Sequence, residues 1–574
     1  MLNDVLRVKR SDPIYNAHSY LTKVPVGAII PFIEEYSPEG GLVVDMFAGS
    51  GMTAIASKMT NRNALVSDIS VLGRHIGLGY LSSVEAEDLH KTANDVVSDS
   101  KANCGYNYKT IRNEDDQEVD FGKTIWSFVY ECSHCQNELV YYELLKTNSF
   151  KTTGLSCPKC NNEFQKRGAT YLKDVPVIVS VNGVNGKQVE QPVQDFDFDL
   201  IQKAEESNVF DNFPNIQIPK DREMYKRSAL EKWDLTETKK FFSYRNAIVL
   251  SDLWNRINAV ENESLRQKLR FTFTAILPRA SRRYQWSLKA PLNAAIQNYY
   301  IAPVYYEWNV YDLFLRKINA VAKADGVISD SVDHLTTTQD YVNASADQLP
   351  HLESESVDFI FTDPPFGSNI FYADMNLFHE AWIGGMTDNS REAVMKTTGK
   401  HKQQSKEDYQ EILTGAFSEA WRTLKEGAYL AVVFGNSQGS IWSVVQQSIY
   451  NAGFVSKPEK ILILDKGQRS VKGLNSGTEK VATLDLIVVV KKDSSADTTP
   501  IALSDNYRET VKKTIDNIEL SSSLTASHVY LEVLRTAMSD HVCMANLDLH
   551  DVLVEIESRG FSIDSQSGYL VNNL

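Results

Sequence analysis

The sequence predicts an α/β fold: a Rossmann-like sheet begun early in the chain and completed late, with a large insertion between its halves. Three observations carry this. An apolar strand at 41–44 runs into the glycine turn Val43-Val44-Asp45-Met46-Phe47-Ala48-Gly49-Ser50-Gly51-Met52-Thr53 and a helix beginning near Thr53. A second apolar strand, 64–67, ends on Asp68, about 20 residues after the turn, where a carboxylate can grip ribose hydroxyls. A third, 357–361, ends on Phe361-Thr362-Asp363-Pro364-Pro365-Phe366, about 300 residues downstream, whereas three βαβ units of about 30 residues each need far less chain.

Gly49 and Gly51 let the turn bend and approach a ligand closely, and the helix behind them offers free N–H groups. Gly49-Ser50-Gly51-Met52-Thr53-Ala54 also fits the dinucleotide fingerprint G-x-G-x-x-A, so the turn alone does not choose a cofactor. Asp-Pro-Pro-Phe separates the readings, because hydride transfer has no use for it and amine methylation does. An exocyclic amine is a poor nucleophile while its lone pair is delocalised into the ring. Asp363 and the Pro364 carbonyl can each accept one amine hydrogen, favouring a tetrahedral nitrogen that faces the methyl sulfonium of S-adenosylmethionine. Positioning then carries most of the rate. Pro364 and Pro365 stiffen the turn, and Phe366 offers a flat face to a base taken out of the stack. By itself the tetrapeptide also fits an ordinary strand-ending turn. Asp347, in the loop 343–350, has two readings: acceptor for the cofactor's adenine amine, or solvated loop carboxylate.

The insertion begins after a helix expected at 71–89. Within it, Cys132-Ser133-His134-Cys135 and Cys157-Pro158-Lys159-Cys160 have the spacing of a zinc ribbon, in which Cys132, Cys135, Cys157 and Cys160 hold one structural Zn2+. Residues 138–150 alternate well enough to supply strands. His134 stays outside a shell that four thiolates complete, and Cys104 and Cys543 read as structural. Helices are expected at 236–259, 264–278 and 305–322. Strands return at 429–434 and 481–490, residues 493–499 form a polar linker, and a mostly helical tail follows, with an amphipathic stretch at 530–538. The expected divisions are a first core half at 1–90, a ribbon insertion at 91–213, a helical, target-recognising insertion at 214–325, a second core half at 326–492 and a C-terminal tail at 500–574.

With 574 residues, 43% hydrophobic and 23% charged, the chain is an ordinary globular protein of two or more domains. No stretch reaches the roughly 18 apolar residues of a membrane span, and residues 1–12 lack the apolar centre of a signal peptide. A cytoplasmic location without membrane contact is expected, and four cysteines in close pairs fit a reducing compartment. The formal charge of -15 opposes nucleic-acid binding unless cations cluster on one face. Arg279, Arg282, Arg283, Trp286 and Lys289 are the leading candidates, because the run 279–286 interleaves guanidiniums with aromatic rings. Secondary patches lie at 220–240 and 396–406. A solvated charged face is the alternative for each.

The run His18-Ser19-Tyr20-Leu21-Thr22-Lys23-Val24-Pro25, the glycine turn, the ribbon, the segment 235–318 and the stretch 363–382 together resemble the zinc-ribbon-containing, adenine-specific DNA methylases of bacteria and archaea, over roughly residues 10–490. The resemblance implies a class I methyltransferase core that binds S-adenosylmethionine. His18 and Lys23 would lie beside the cofactor, although an exposed N-terminal segment is the alternative for them. Asp45, Phe47, Gly49, Gly51 and Thr53 would form the turn holding its methionine part, and Asp68 would bind its ribose. Asp363, Pro364, Pro365 and Phe366 match the catalytic tetrapeptide, and 369–382 would wall the base pocket, with Leu377, Phe378 and Trp382 read as core. Met46 stands where proline is usual and Phe366 where tyrosine is commoner. Asp at the first tetrapeptide position favours adenine N6 over cytosine N4. The implied substrate is double-stranded DNA, methylated at a specific sequence and linked to restriction-modification or phage defence. The acidic balance leaves room for a partner subunit from such a system. A cytosine-N4 methylase, an RNA amine methylase and a non-catalytic nucleic-acid-binding subunit remain as alternatives.

Overall fold

The computed structural model describes the chain except residues 1, 3, 9–11, 289–298, 332–336, 368–369, 396–401, 455–457, 466–483, 496–503, 565–568 and 574. The chain divides into two compact units: Met1–Leu81, Ala324–Ala373 and Met386–Leu574 form the first, and Ser82–Lys323 with Asp374–Gly385 the second.

In chain order, the first unit opens with strands β1 (Val5–Arg7), β2 (Leu42–Asp45) and β3 (Asn63–Asp68). The second contributes β4 (Lys109–Ile111), β5 (Glu118–Glu131), β6 (Glu138–Val140), β7 (Leu155–Ser156), β8 (Glu163–Phe164), β9 (Thr170–Asn182), β10 (Gln188–Pro192) and β11 (Val304–Trp308). The first resumes with β12 (Gln339–Asn343), β13 (Val357–Thr362), β14 (Leu424–Phe434), β15 (Lys460–Asp465), β16 (Asp485–Lys491), β17 (Phe561–Ile563) and β18 (Leu570–Asn572).

The first unit is built on an eight-stranded sheet ordered β1-β15-β16-β14-β13-β2-β3-β12. The run from β14 to β12 is parallel, and β16 lies antiparallel between β14 and β15. From β2 the chain moves outward to β3 and β12 on one side, then to β13 and β14 on the other. The carboxyl ends of β2 and β13 therefore meet at the switch point, where such sheets bind ligands. Alternate residues serve opposite faces. On one, Tyr36 of the helix Val26–Tyr36 packs on Phe359 and Tyr429, and Phe32 on Phe361. On the other, Val44, Ile360, Leu430 and Val432 join Leu413 and Phe417 of the helix Lys402–Thr423 and Trp442 and Val445 of the helix Gly439–Asn451 in one core. The tail helices Tyr507–Asp516, Ala526–Ser539 and Leu549–Ser558 belong to that same core.

The second unit holds an antiparallel sheet ordered β10-β9-β5-β11, with β4 and β6 also pairing β5, the small hairpin β7-β8, and several helices. Four expectations need correction. The helix expected at 71–89 is two, Val71–Leu81 and Ala86–Cys104, and the second unit starts between them. Residues 138–150 give a short strand and then the helix Tyr141–Thr147. The helix expected from 236 starts at Tyr244, because Ser243 is its N-cap and accepts from the Asn246 N–H. Tyr305 lies in β11, ahead of the helix Val310–Ser329, since Val304 and the aromatic residues Tyr305, Tyr306 and Trp308 favour an extended strand paired with β5. Parts of the expected strand 481–490 and linker 493–499 fall outside the described residues.

Candidate active site and metal centre

Asp45, at the end of β2, is buried. Its Oδ1 accepts from the Phe47 N–H at 3.1 Å and the Thr362 hydroxyl at 2.9 Å, and its Oδ2 from the Thr53 hydroxyl at 2.6 Å. This carboxylate ties the glycine turn to the end of β13, one residue before the tetrapeptide. Burial pushes it up to about 6 despite three donors. With both oxygens engaged by the chain, Asp45 shapes the turn.

Gly49 and Gly51 adopt φ of +50° and +78°. A Cβ on Gly49 would sit 2.9 Å from Tyr20 Cε1, and one on Gly51 3.0 Å from Gly77 Cα. Asp68 accepts from the Gly49 N–H at 2.9 Å and the Ser70 N–H at 2.8 Å, and burial raises its carboxyl. The Gly49 carbonyl accepts from the Tyr341 hydroxyl at 2.7 Å. Tyr341 fits only because Gly73 and Gly77 lack side chains: a Cβ there would come within 2.7 Å and 2.4 Å of its atoms. Gly73 and Gly77 lie on one helix face, four residues apart, and together clear the space for the ring.

The helix Met52–Met59 starts at Gly51 without a side-chain cap, and the Ser50 hydroxyl is buried with no partner among the described residues. An orphaned hydroxyl, uncapped helix N–H groups and a strand-end carboxylate fit a nucleoside-bearing, charged cofactor. Phe47 is partly buried against the core.

Asp363 and Phe366 are half-buried and Pro364 buried. The Pro365 carbonyl accepts from the Tyr409 hydroxyl at 2.7 Å, that of Phe366 from Asn436 Nδ2 at 3.0 Å and that of Gly367 from the Met395 N–H at 3.2 Å. The Pro364 carbonyl accepts no hydrogen bond among the described residues. The Phe366 ring meets Phe434 edge-on at 4.9 Å. Tyr372 stacks on Tyr20 at 6.2 Å and shares a hydrogen bond of 2.7 Å with Thr22, while burial, with the Asp363 and Asp68 charges, raises its phenol. Tyr20 and Tyr372 lie within the runs 18–25 and 369–382 expected at the site, whereas Tyr341, Tyr409 and Asn436 were not singled out, because lone tyrosines and asparagines carry no spacing signal.

Three residues expected beside the cofactor are also engaged by the chain itself. His18 is buried, with Nδ1 2.8 Å from the Ser19 carbonyl, and Lys23 donates to the carbonyls of Tyr15 and His18. Both fold their own segment. Asp347 is neither solvated nor open: it pairs with Arg391 and accepts from Ser345. Arg391, more than forty residues on in sequence, gave no hint of this. Asn369, expected near the base pocket, lies outside the described residues. Leu377, Phe378 and Trp382 are buried core of the second unit.

In the second unit, the Cys132, Cys135, Cys157 and Cys160 sulfurs all lie within 4.8 Å of one another. Two of the separations are 3.8 Å (Cys132 to Cys160) and 3.6 Å (Cys135 to Cys157). Thiolates around one tetrahedral zinc, at about 2.3 Å each, sit roughly 3.8 Å apart. Both knuckles repeat one design: the Cys132 N–H donates to the Asn137 carbonyl and the Cys157 N–H to that of Asn162, each at 2.9 Å, with Gln136 and Asn161 at φ of 57° and 58°. The four residues fit zinc.

The expected arginine stripe is largely inward. Arg283 is buried 3.8 Å over the Phe378 ring, and burial pulls it down to about 10. Arg282 pairs with Asp174, and Trp286 packs on Tyr142 and Phe150. Arg279 is exposed over Tyr284, and Lys289 lies outside the described residues. The lysines at 220, 239 and 240 are paired with Glu231, Glu237 and Asp234. Residues 396–401 of the other secondary patch lie outside the described residues. Sequence reading missed a second exposed cation: Arg316 lies 5.3 Å from the Trp308 ring and lines a cleft of about 320 Å³ with Gln188, Asp312 and Asn319, while Lys123, 5.5 Å from the same ring, is buried and pairs with Glu190.

A family model described as DNA methylase matches residues 3–81, which carry the glycine turn and Asp68. The match supports a DNA methyltransferase, acting at adenine N6 or cytosine N4, and such enzymes use S-adenosylmethionine. No curated protein matches the chain. Among the described residues no helix is long and apolar enough to cross a membrane.

Proposed function

We propose that the protein transfers the methyl group of S-adenosylmethionine to the exocyclic N6 amine of adenine in double-stranded DNA. The observation that carries this reading is the carbonyl pattern of the tetrapeptide. Three carbonyls after Pro364 are held by the protein, while that of Pro364 is left to accept, beside the Asp363 carboxylate. Ser50, the first N–H groups of the helix Met52–Met59 and Asp68 would hold the cofactor, with Asp45, Thr53 and Thr362 fixing the turn. When bound, S-adenosylmethionine supplies an electrophilic methyl group on a sulfonium.

Asp363 and Pro364 each accept one amine hydrogen, turning the nitrogen lone pair toward the methyl carbon. Once that nitrogen takes up the methyl group that the bound cofactor would supply, with sulfur as the leaving group, the extra amine proton would pass to Asp363 or water. No covalent enzyme intermediate is needed. Phe366 rests against Phe434 and offers its remaining face to the base. Cytosine N4 is the second reading, because the matching family model covers both amines. The test is incubation of the purified protein with labelled cofactor and unmethylated DNA, followed by nucleoside mass analysis. N6-methyladenine is expected; N4-methylcytosine would move the reading to the second base.

A further inference from the structure

The C-terminal tail grips the chain immediately after β14. The Gly439 N–H donates to Asp548 Oδ1 at 2.7 Å, and the Leu549 N–H donates to the Ser437 carbonyl at 3.1 Å. Gly439 lies against the tail so closely that a Cβ would fall 2.1 Å from the Met544 carbonyl oxygen and 2.6 Å from the Leu547 nitrogen. Asn436, one residue before this gripped segment, donates from Nδ2 to the Phe366 carbonyl. Its own Oδ1 accepts from the Gln438 N–H at 2.9 Å, and its carbonyl from Trp442 Nε1 at 2.9 Å. The Asn436 amide is thus fixed at both ends, with its donor on the tetrapeptide.

We infer that Asn436 is a positioning residue for the catalytic turn, and that the tail, through Asp548 and Leu549, holds Asn436 in register. The tail is then a working part of the catalytic unit. The inference rests on the methylase reading above, with the tetrapeptide as the catalytic turn. Without the Phe366 tether the Pro364 carbonyl can drift from the amine, and a displacement of about 1 Å costs up to about 100-fold in rate. Cofactor binding, at the carboxyl ends of β2 and β3, should be unaffected.

The experiment uses the full chain carrying Asn436→Ala or, separately, Gly439→Ala, which forces the tail away. It measures kcat, cofactor Kd, melting temperature and amide exchange at residues 363–367. For Asn436→Ala the expected result is a kcat reduced by about 10- to 100-fold, unchanged cofactor Kd, near-native melting and faster exchange at 363–367. Gly439→Ala should accelerate the same amides. Unchanged kcat and unchanged exchange in folded Asn436→Ala overturn the inference, as does a loss confined to cofactor affinity. A wild-type chain that transfers no methyl group overturns the methylase reading and this inference with it. An active wild type with an equally active Asn436→Ala overturns only this inference.

Discussion

Asp45 illustrates what one buried carboxylate does. Burial pushes it up to about 6, so between about pH 4 and 6 the folded chain holds a proton that the unfolded chain has released. Its contribution to stability is therefore fully present below about pH 4 and is lost as pH rises through about 6, on the order of 3 kcal/mol. Asp45→Asn removes the charge while keeping an acceptor. The melting-temperature difference between Asp45→Asn and wild type, in favour of the variant near neutral pH, should shrink as pH falls through about 6. A difference that does not change with pH would show that Asp45 does not titrate there. Asp347 teaches the opposite lesson. The sequence placed it in a loop, but only the fold supplies Arg391, whose pairing takes the carboxylate out of the solvated-loop reading.

At the scale of elements, the four-cysteine cluster was legible because metal geometry writes itself into spacing: two C-x-x-C turns suffice, and the structure gathers their sulfurs. The ribbon hairpin β7-β8 is only two residues long on each strand, too little to stand without the metal. The purified chain should carry about one zinc ion per molecule. Cys157→Ser or a strong chelator should remove it and open residues 132–164 to protease, while the first unit keeps its own melting transition. A metal-free chain equally resistant there would contradict this. The glycine turn and Asp68 were legible for a similar reason, since a left-handed backbone and a strand-end acid have few substitutes. Tyr341 against Gly73 and Gly77, Asn436 against Phe366, and β11 where a helix was expected were not. Each depends on a partner remote in sequence, and local periodicity does not encode it.

For the whole molecule, the formal charge of -15 must coexist with a polyanionic substrate. The interleaved run 279–286 looked like a DNA-binding stripe, but alternation with aromatics is also how a core accommodates guanidiniums, and Arg283 lies buried on Phe378. Arg279 and Arg316 are two exposed cations beside aromatic rings. Arg279→Ala with Arg316→Ala should weaken DNA binding and lower the salt slope by about one for each phosphate left unneutralised, whereas Arg283→Ala should mainly lower melting temperature. Equal DNA affinity in the double variant would exclude this surface. In the proposed reaction, Asp363 and the Pro364 carbonyl would orient the amine for methylation. The most direct measurement is methyl transfer to unmethylated DNA by wild type and Asp363→Ala side by side, with cofactor Kd and melting temperature for both. N6-methyladenine is expected from wild type and a rate lower by about 100-fold or more from the variant, with cofactor binding retained. Normal transfer by a folded Asp363→Ala would contradict it.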